Sequence, residues 1–194
     1  MFPLVPFLSY VFVTTFTPGP NNIMSMTNAN QFGFKKTQKF ILGVSAGFLV
    51  IMLLCSYFSL VLYSVVPKIK TVMSIIGAVY MLYLAYKIVS SKPHNGEKRD
   101  EKLNTFLSGM LLQFINIKVI LYGITVIANF IIPYYKSHTS LMLFSLLLAF
   151  IGFMATSCWA AFGVFFQRVL SKYERLFNAL MGLLLVYSAV SLFI

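Results

Sequence analysis

A chain of 194 residues that is 59% hydrophobic and only 10% charged, with a mean hydropathy of +0.87, lies far from soluble composition, in which about a quarter of residues carry charge. Fifteen Lys or Arg stand against four Asp or Glu, a formal charge of +11, but the cations separate apolar stretches instead of sharing one polar face, which argues against nucleic acid as a partner. Disorder, a disulfide scaffold and a water-soluble enzyme are excluded as well, and the chain reads as an all-α integral membrane protein whose partner is the lipid bilayer.

A bilayer core of about 30 Å takes roughly 20 apolar residues as helix. On that measure six spanning helices are predicted, at about 4–26, 40–66, 71–88, 104–131, 140–166 and 176–193. The first charge is Lys35, so the amino-terminal segment lacks the basic region of a cleavable signal and reads as a retained helix. The first, third and fifth loops carry Lys35, Lys36, Lys39, Lys87, Lys92, Lys98, Arg99, Lys102, Arg168, Lys172 and Arg175, whereas the other side carries Lys68, Lys70 and Lys136. Eleven cations against three place the odd loops in the cytoplasm and both termini outside.

The one hydrophilic stretch, 90–102, reads SSKPHNGEKRDEK and forms a cytoplasmic linker between a first half, 1–89, and a second half, 103–194. Each half holds three predicted spans. Because three is odd, a repeated half enters the membrane from the opposite side, which makes the fold two inverted three-helix repeats.

The first predicted helix contains Thr17-Pro18-Gly19-Pro20-Asn21-Asn22. Two prolines around a glycine remove amide donors and clash with the preceding turn, so a break is expected there. Backbone groups freed at membrane depth need protein groups or cavity water, and Asn21 and Asn22 can supply both donors and acceptors. Pro20 suits the first turn of a restarted helix, whose free N–H groups attract a carboxylate. The bland alternative is a proline kink with packed asparagines.

The fourth predicted helix carries Gln113-Phe114-Ile115-Asn116-Ile117-Lys118 and is likewise expected to be broken. Lys118 lies inside the span, where a Lys costs about 2.5–3.5 kcal/mol on insertion scales and so calls for a cavity and a partner. Three partners are open: a substrate carboxylate, carbonyls of the broken first helix, or loss of the proton. A snorkelling or carbonyl-capping Lys is the structural alternative. Gln113 and Asn116 are three apart and share a helix face, and Lys118 needs local unwinding to join them.

With TPGPNN in the first helix, Gly43-Val44-Ser45-Ala46-Gly47 in the second and Asn116-Ile117-Lys118 in the fourth, the chain resembles the lysine-exporter (LysE/RhtB-type) family over essentially its whole length. The stretches 113–123 and 183–187 are most similar to the branch handling cysteine and O-acetylserine. The resemblance implies a secondary transporter that exports small neutral amino acids or derivatives across the bacterial inner membrane by proton antiport. No cofactor is expected, and if protons are coupled, Lys118 is the intramembrane amine that would carry them, with Tyr hydroxyls and water as the other conductors. Ile117 stands where many members have Pro. Phe48 stands where many have Asp, which removes a carboxylate relay and favours a neutral or zwitterionic substrate.

Substrate contacts are therefore expected from Pro18, Gly19, Pro20, Asn21, Asn22, Gln113, Asn116 and Lys118. The carboxylate would meet the restarted helix and Lys118; the ammonium would meet carbonyls at Pro18-Gly19 and the Asn116 side chain. Gly43 and Gly47 read first as close packing. Tyr80, Tyr83 and Tyr86 form a stripe on the third helix, and Trp159 reads as packing. His94 and His138 fall in predicted loops without further ligands, so no metal site is expected. The competing function is a transmembrane thiol–disulfide electron carrier using Cys55 and Cys158, which occupy equivalent helices of the two halves. Against it, neither has the proline or second Cys nearby that tunes reactivity. Nothing in the residues sets the oligomeric state, and a homodimer stays open.

Overall fold

The computed structural model describes residues 2–90, 101–166 and 173–193. Most of the 90–102 linker, including His94, and the fifth-loop cations Arg168 and Lys172 lie outside the described residues. Among those described there are only helices, turns and irregular connections, with no strand.

The chain opens with α1 (Leu4–Phe16) and α2 (Pro20–Phe32), separated by the expected break. Thr17 (φ −64°, ψ 151°) and Gly19 (φ −169°, ψ 172°) are extended, and Pro20 occupies the first turn of α2, where its missing N–H has no intrahelical use. Gly33 ends α2 and starts α3 (Phe34–Tyr57) at φ 83°, a left-handed conformation that an L side chain rarely adopts. The first helical segment thus reaches Phe32, beyond the predicted boundary at 26. The polar sequence SMTNANQF had masked this extension from a hydropathy reading.

The second and third segments also differ from expectation. α3 starts at Phe34 and ends at Tyr57, and α4 (Ser59–Val89) is continuous through Pro67 and the predicted loop at 67–70. A proline costs a helix one hydrogen bond and a clash with the preceding turn, but these do not always end it.

The second half opens with a short 3₁₀ turn (Glu101–Leu103) and α5 (Phe106–Ile115), whose Thr105 cap accepts from Ser108 N at 3.1 Å. At Asn116 (φ −81°, ψ 91°) the helix stops, and α6 (Ile117–Val126) restarts at a bend of 67° and continues through a π turn (Ile127–Ile131). α7 (His138–Phe165) and α8 (Glu174–Val190) complete the chain.

Among the described residues, three helices are long and apolar enough to cross a bilayer, and the α5–α6 pair makes four when counted as one bent span. α1 and α8 are shorter apolar helices. The exterior is that of a membrane protein: Val5, Val79, Leu107, Leu143, Phe150 and Leu183 are all exposed, an apolar surface that water would not tolerate over this extent.

Close backbone packing joins the helices. Gly43 on α3 faces the carbonyl of Phe106, Gly109 on α5 faces the carbonyl of Phe40, and Gly163 on α7 faces the carbonyl of Met26; a Cβ at any of the three would collide. α3 also packs on α7, and α4 on α8. At one end of the molecule the first and third loops meet, through Asn28 Nδ2 to Leu103 O (3.3 Å) and Asn104 Nδ2 to Lys36 O (3.4 Å). At the other end Phe2 packs on Tyr134 and Tyr135, and Tyr57 on His138.

Candidate functional site

The break in the first segment leaves carbonyls without helical donors. Asn22 answers them: its Nδ2 donates to Thr15 O and to Thr17 O, both at 2.9 Å. Trp159 on α7 donates from Nε1 to Phe16 O at 3.1 Å. The expected role of the asparagines as partners for freed backbone therefore falls on Asn22, joined by an indole. Of the two carbonyls expected to hold an ammonium, that of Gly19 accepts from Ile23 N at 2.9 Å.

Asn21 faces the other break. Its Nδ2 donates to Gln113 Oε1 (2.8 Å), while its Oδ1 accepts from Gln113 Nε2 (3.0 Å) and from Asn116 Nδ2 (3.3 Å). Gln113 Nε2 also donates to Gly109 O at 3.0 Å. A backbone carbonyl only accepts, so it orients the Gln113 amide; Gln113 then orients Asn21, and Asn21 orients Asn116. The chain of amides ends with one free acceptor, Asn116 Oδ1, buried and without a partner.

Lys118 follows two residues later on α6. Its Nζ donates to Thr17 Oγ1 at 3.0 Å, and Thr17 Oγ1 donates in turn to Thr14 O at 2.9 Å. The partner of the ammonium in this state is thus a hydroxyl in the break, which differs from all three expected partners. Gly19 makes the approach feasible: a Cβ there would stand 3.3 Å from Lys118 Nζ.

These groups border a pocket of about 510 Å³, its open mouth included. Gly19, Pro20, Asn21, Asn22, Asn116 and Lys118 line it; Pro18 is exposed outside it, and Gln113 stands behind Asn21. Phe48 and Tyr122, with ring centroids 5.7 Å apart, form an apolar wall, and Gly152 lies 3.8 Å from the Phe48 ring by its Cβ direction. No Asp or Glu is among the lining residues.

Sequence reasoning missed Thr14, Thr15, Tyr122 and Thr156 as lining residues, quoted Thr17 without giving it a role, and placed Trp159 in packing alone. The threonines carried a usable signal, since Thr14, Thr15 and Thr17 precede the proline pair directly. Gly43 and Gly47 serve helix packing; a Cβ on Gly47 would stand 2.7 Å from Met110 O. Tyr80, Tyr83 and Tyr86 do not border the pocket. Cys55 is buried and free, Cys158 is partly buried and free, and neither lines the pocket. His138 stacks on Tyr57, and among the described residues no cluster of metal-ligating side chains occurs.

Two helices broken in the apolar interior, with one amine and one orphaned amide oxygen around a small cavity, define a membrane transporter. The chain belongs to the LysE type translocator family, whose pattern it matches over residues 12–194. It is a transporter of the amino-acid efflux class and not an enzyme. Among its relatives are the cysteine/O-acetylserine efflux proteins of Escherichia coli (strain K12), Shigella flexneri serotype 5b (strain 8401) and Shigella sonnei (strain Ss046). Each is 39% identical over 190 residues, covering 98% of this chain and 97% of the relative. No solved structure gives a significant match.

Proposed function

We propose that this protein exports small neutral amino acids or their derivatives, cysteine and O-acetylserine among them, across the bacterial inner membrane by proton antiport. The observation that carries the reading is that Lys118 and Asn116 line one pocket, with Asn116 Oδ1 buried and without a partner. A zwitterion needs one cation for its carboxylate and one acceptor for its ammonium. Here the two stand two residues apart, on either side of a helix start. The carboxylate takes the place of Thr17 Oγ1 at Lys118, and the ammonium satisfies Asn116 Oδ1. The side chain lies against Phe48, Tyr122 and Gly152, a wall suited to small uncharged groups. The absence of a lining carboxylate disfavours a cationic substrate. Affinity is expected near millimolar, about −4 kcal/mol, since an exporter must release what it collects.

Alternating access follows from two inverted halves, 1–89 and 103–194, each of three spans. Supporting this arrangement, the first segment of each half is broken at the pocket, and counterpart helices pack on each other, α3 on α7 and α4 on α8. The excess of cations in the odd loops places both termini outside. Lys118 is the one cation lining the pocket and is assigned the coupled proton.

Counterflow of labelled cysteine and O-acetylserine in proteoliposomes tests the reading. Exchange accelerated by a pH gradient is expected. Absence of exchange for every small amino acid ends the exporter reading, and exchange indifferent to the gradient ends proton coupling.

A further inference from the structure

α2 is a polar helix in an apolar protein. Its sequence PNNIMSMTNANQF is mostly buried, including Asn22, Ser25, Thr27, Asn28 and Asn30. Asn21, Ser25 and Asn28 are spaced four and three apart and share one face. At the pocket end of that face Asn21 pairs with Gln113 of α5; at the far end Asn28 donates to Leu103 O, just before α5, at 3.3 Å. The polar face therefore runs antiparallel along α5, from the pocket to the end of the molecule where the first and third loops meet.

Between those two contacts Ser25 is fully buried at 0% exposure, and its hydroxyl has no partner. Thr27 Oγ1 and Asn104 Oδ1 are likewise buried and unpartnered. Unpaired polar atoms in a closed interior are destabilising, and apolar residues would pack there without that penalty. Water or a passing solute would satisfy them.

The packing on either side of this seam explains how it opens. α5 is pressed onto α3 through Gly109 and Gly43, whereas α2 is pressed onto α7 through Gly163. Both contacts are backbone against backbone. The seam between α2 and α5 is bridged, by contrast, by side chains, among them the Asn21–Gln113 amide pair, the long Asn28 bond and the apolar cluster of Ile23, Met24 and Leu112. α3 and α7 pack along their length, from Ser56 on Ser145 (3.0 Å) past the Phe48 ring at Gly152 to Ile41 and Ala160.

We infer that the α2–α5 seam is the closed inward arm of the substrate's path. It opens toward the end bearing the first and third loops when α2 and α5 part. Ser25, Asn28 and Asn104 then face a wet channel leading to Lys118 and Asn116. This rests on the exporter reading above, and it adds a route to it.

The test uses a Cys55→Ala, Cys158→Ala parent carrying either Ser25→Cys or Asn28→Cys in oriented proteoliposomes. A membrane-impermeant methanethiosulfonate reagent is applied to each face, with and without amino-acid substrate. Labelling is expected from the face bearing the first and third loops, at a rate changed severalfold by substrate, with loss of counterflow once labelled. A variant that still exchanges substrate while resisting the reagent from both faces overturns the seam, and Asn28→Cys decides alone where Ser25→Cys does not fold. If the parent exchanges no amino acid yet the cysteine introduced into it is labelled from that face, the exporter reading fails and the opening seam stands.

Discussion

Replacing Asn22 with Ala separates a structural clasp from a substrate ligand. The side chain makes two 2.9 Å hydrogen bonds, to the carbonyls of Thr15 and Thr17. Each such bond contributes about 1 kcal/mol net, and a carbonyl left unpaired away from water costs about 1–3 kcal/mol. Thr17 is exposed and regains water, whereas Thr15 is only partly exposed, so the combined loss is about 2–4 kcal/mol. For a chain of this size that lowers the midpoint of thermal unfolding by about 5–15 °C. Both amide donors are engaged inside the break, so the half-saturating substrate concentration is expected to rise less than about tenfold, or about 1.4 kcal/mol. Thermal unfolding in detergent and counterflow in proteoliposomes measure the two effects. An unchanged midpoint with a hundredfold weaker apparent affinity would refute the clasp and make Asn22 a ligand.

Lys118→Met keeps the stem and removes the charge; the protein should insert and fold while counterflow is abolished, and retained gradient-driven exchange would remove Lys118 from the mechanism. Asn116→Leu deletes the orphaned acceptor, so the preference for an amino acid over its analogue lacking the amine should collapse in competition assays, an outcome that an unchanged preference contradicts. Gly109→Val drives a side chain into the Phe40 carbonyl and is expected to prevent stable accumulation of the protein, as judged by membrane yield and detergent chromatography. Cys55→Ala with Cys158→Ala should leave efflux intact, while its complete loss would revive the thiol carrier.

Composition alone sufficed for the membrane class, because few charges over long apolar runs have no stable place in water. Both helix breaks were legible for a related reason. Pro18-Gly19-Pro20 cannot continue a helix, and Lys118 beside Asn116 in an apolar run demands relief from lipid. The helix boundaries were less legible. α2 runs to Phe32 through residues too polar for any hydropathy window, and α4 runs through Pro67 against the local signal. Those outcomes depend on neighbours supplied by distant segments.

The same division holds within the site. Residue types and spacing marked Asn21, Asn22, Asn116 and Lys118, since amides and an amine at membrane depth need partners whatever the fold. Which partner each one takes was a tertiary matter. Asn22 turns back to the Thr15 and Thr17 carbonyls, Asn21 crosses to Gln113, and Lys118 reaches Thr17 across 101 positions of chain. Hydrogen bonds depend on direction and on distances of a few ångströms, and only the packing of α2 against α5 and α6 supplies those. The linear chain establishes that polar groups must be satisfied in the bilayer; the assembled helices decide that Lys118 rests on a hydroxyl while Asn116 Oδ1 stays without a partner.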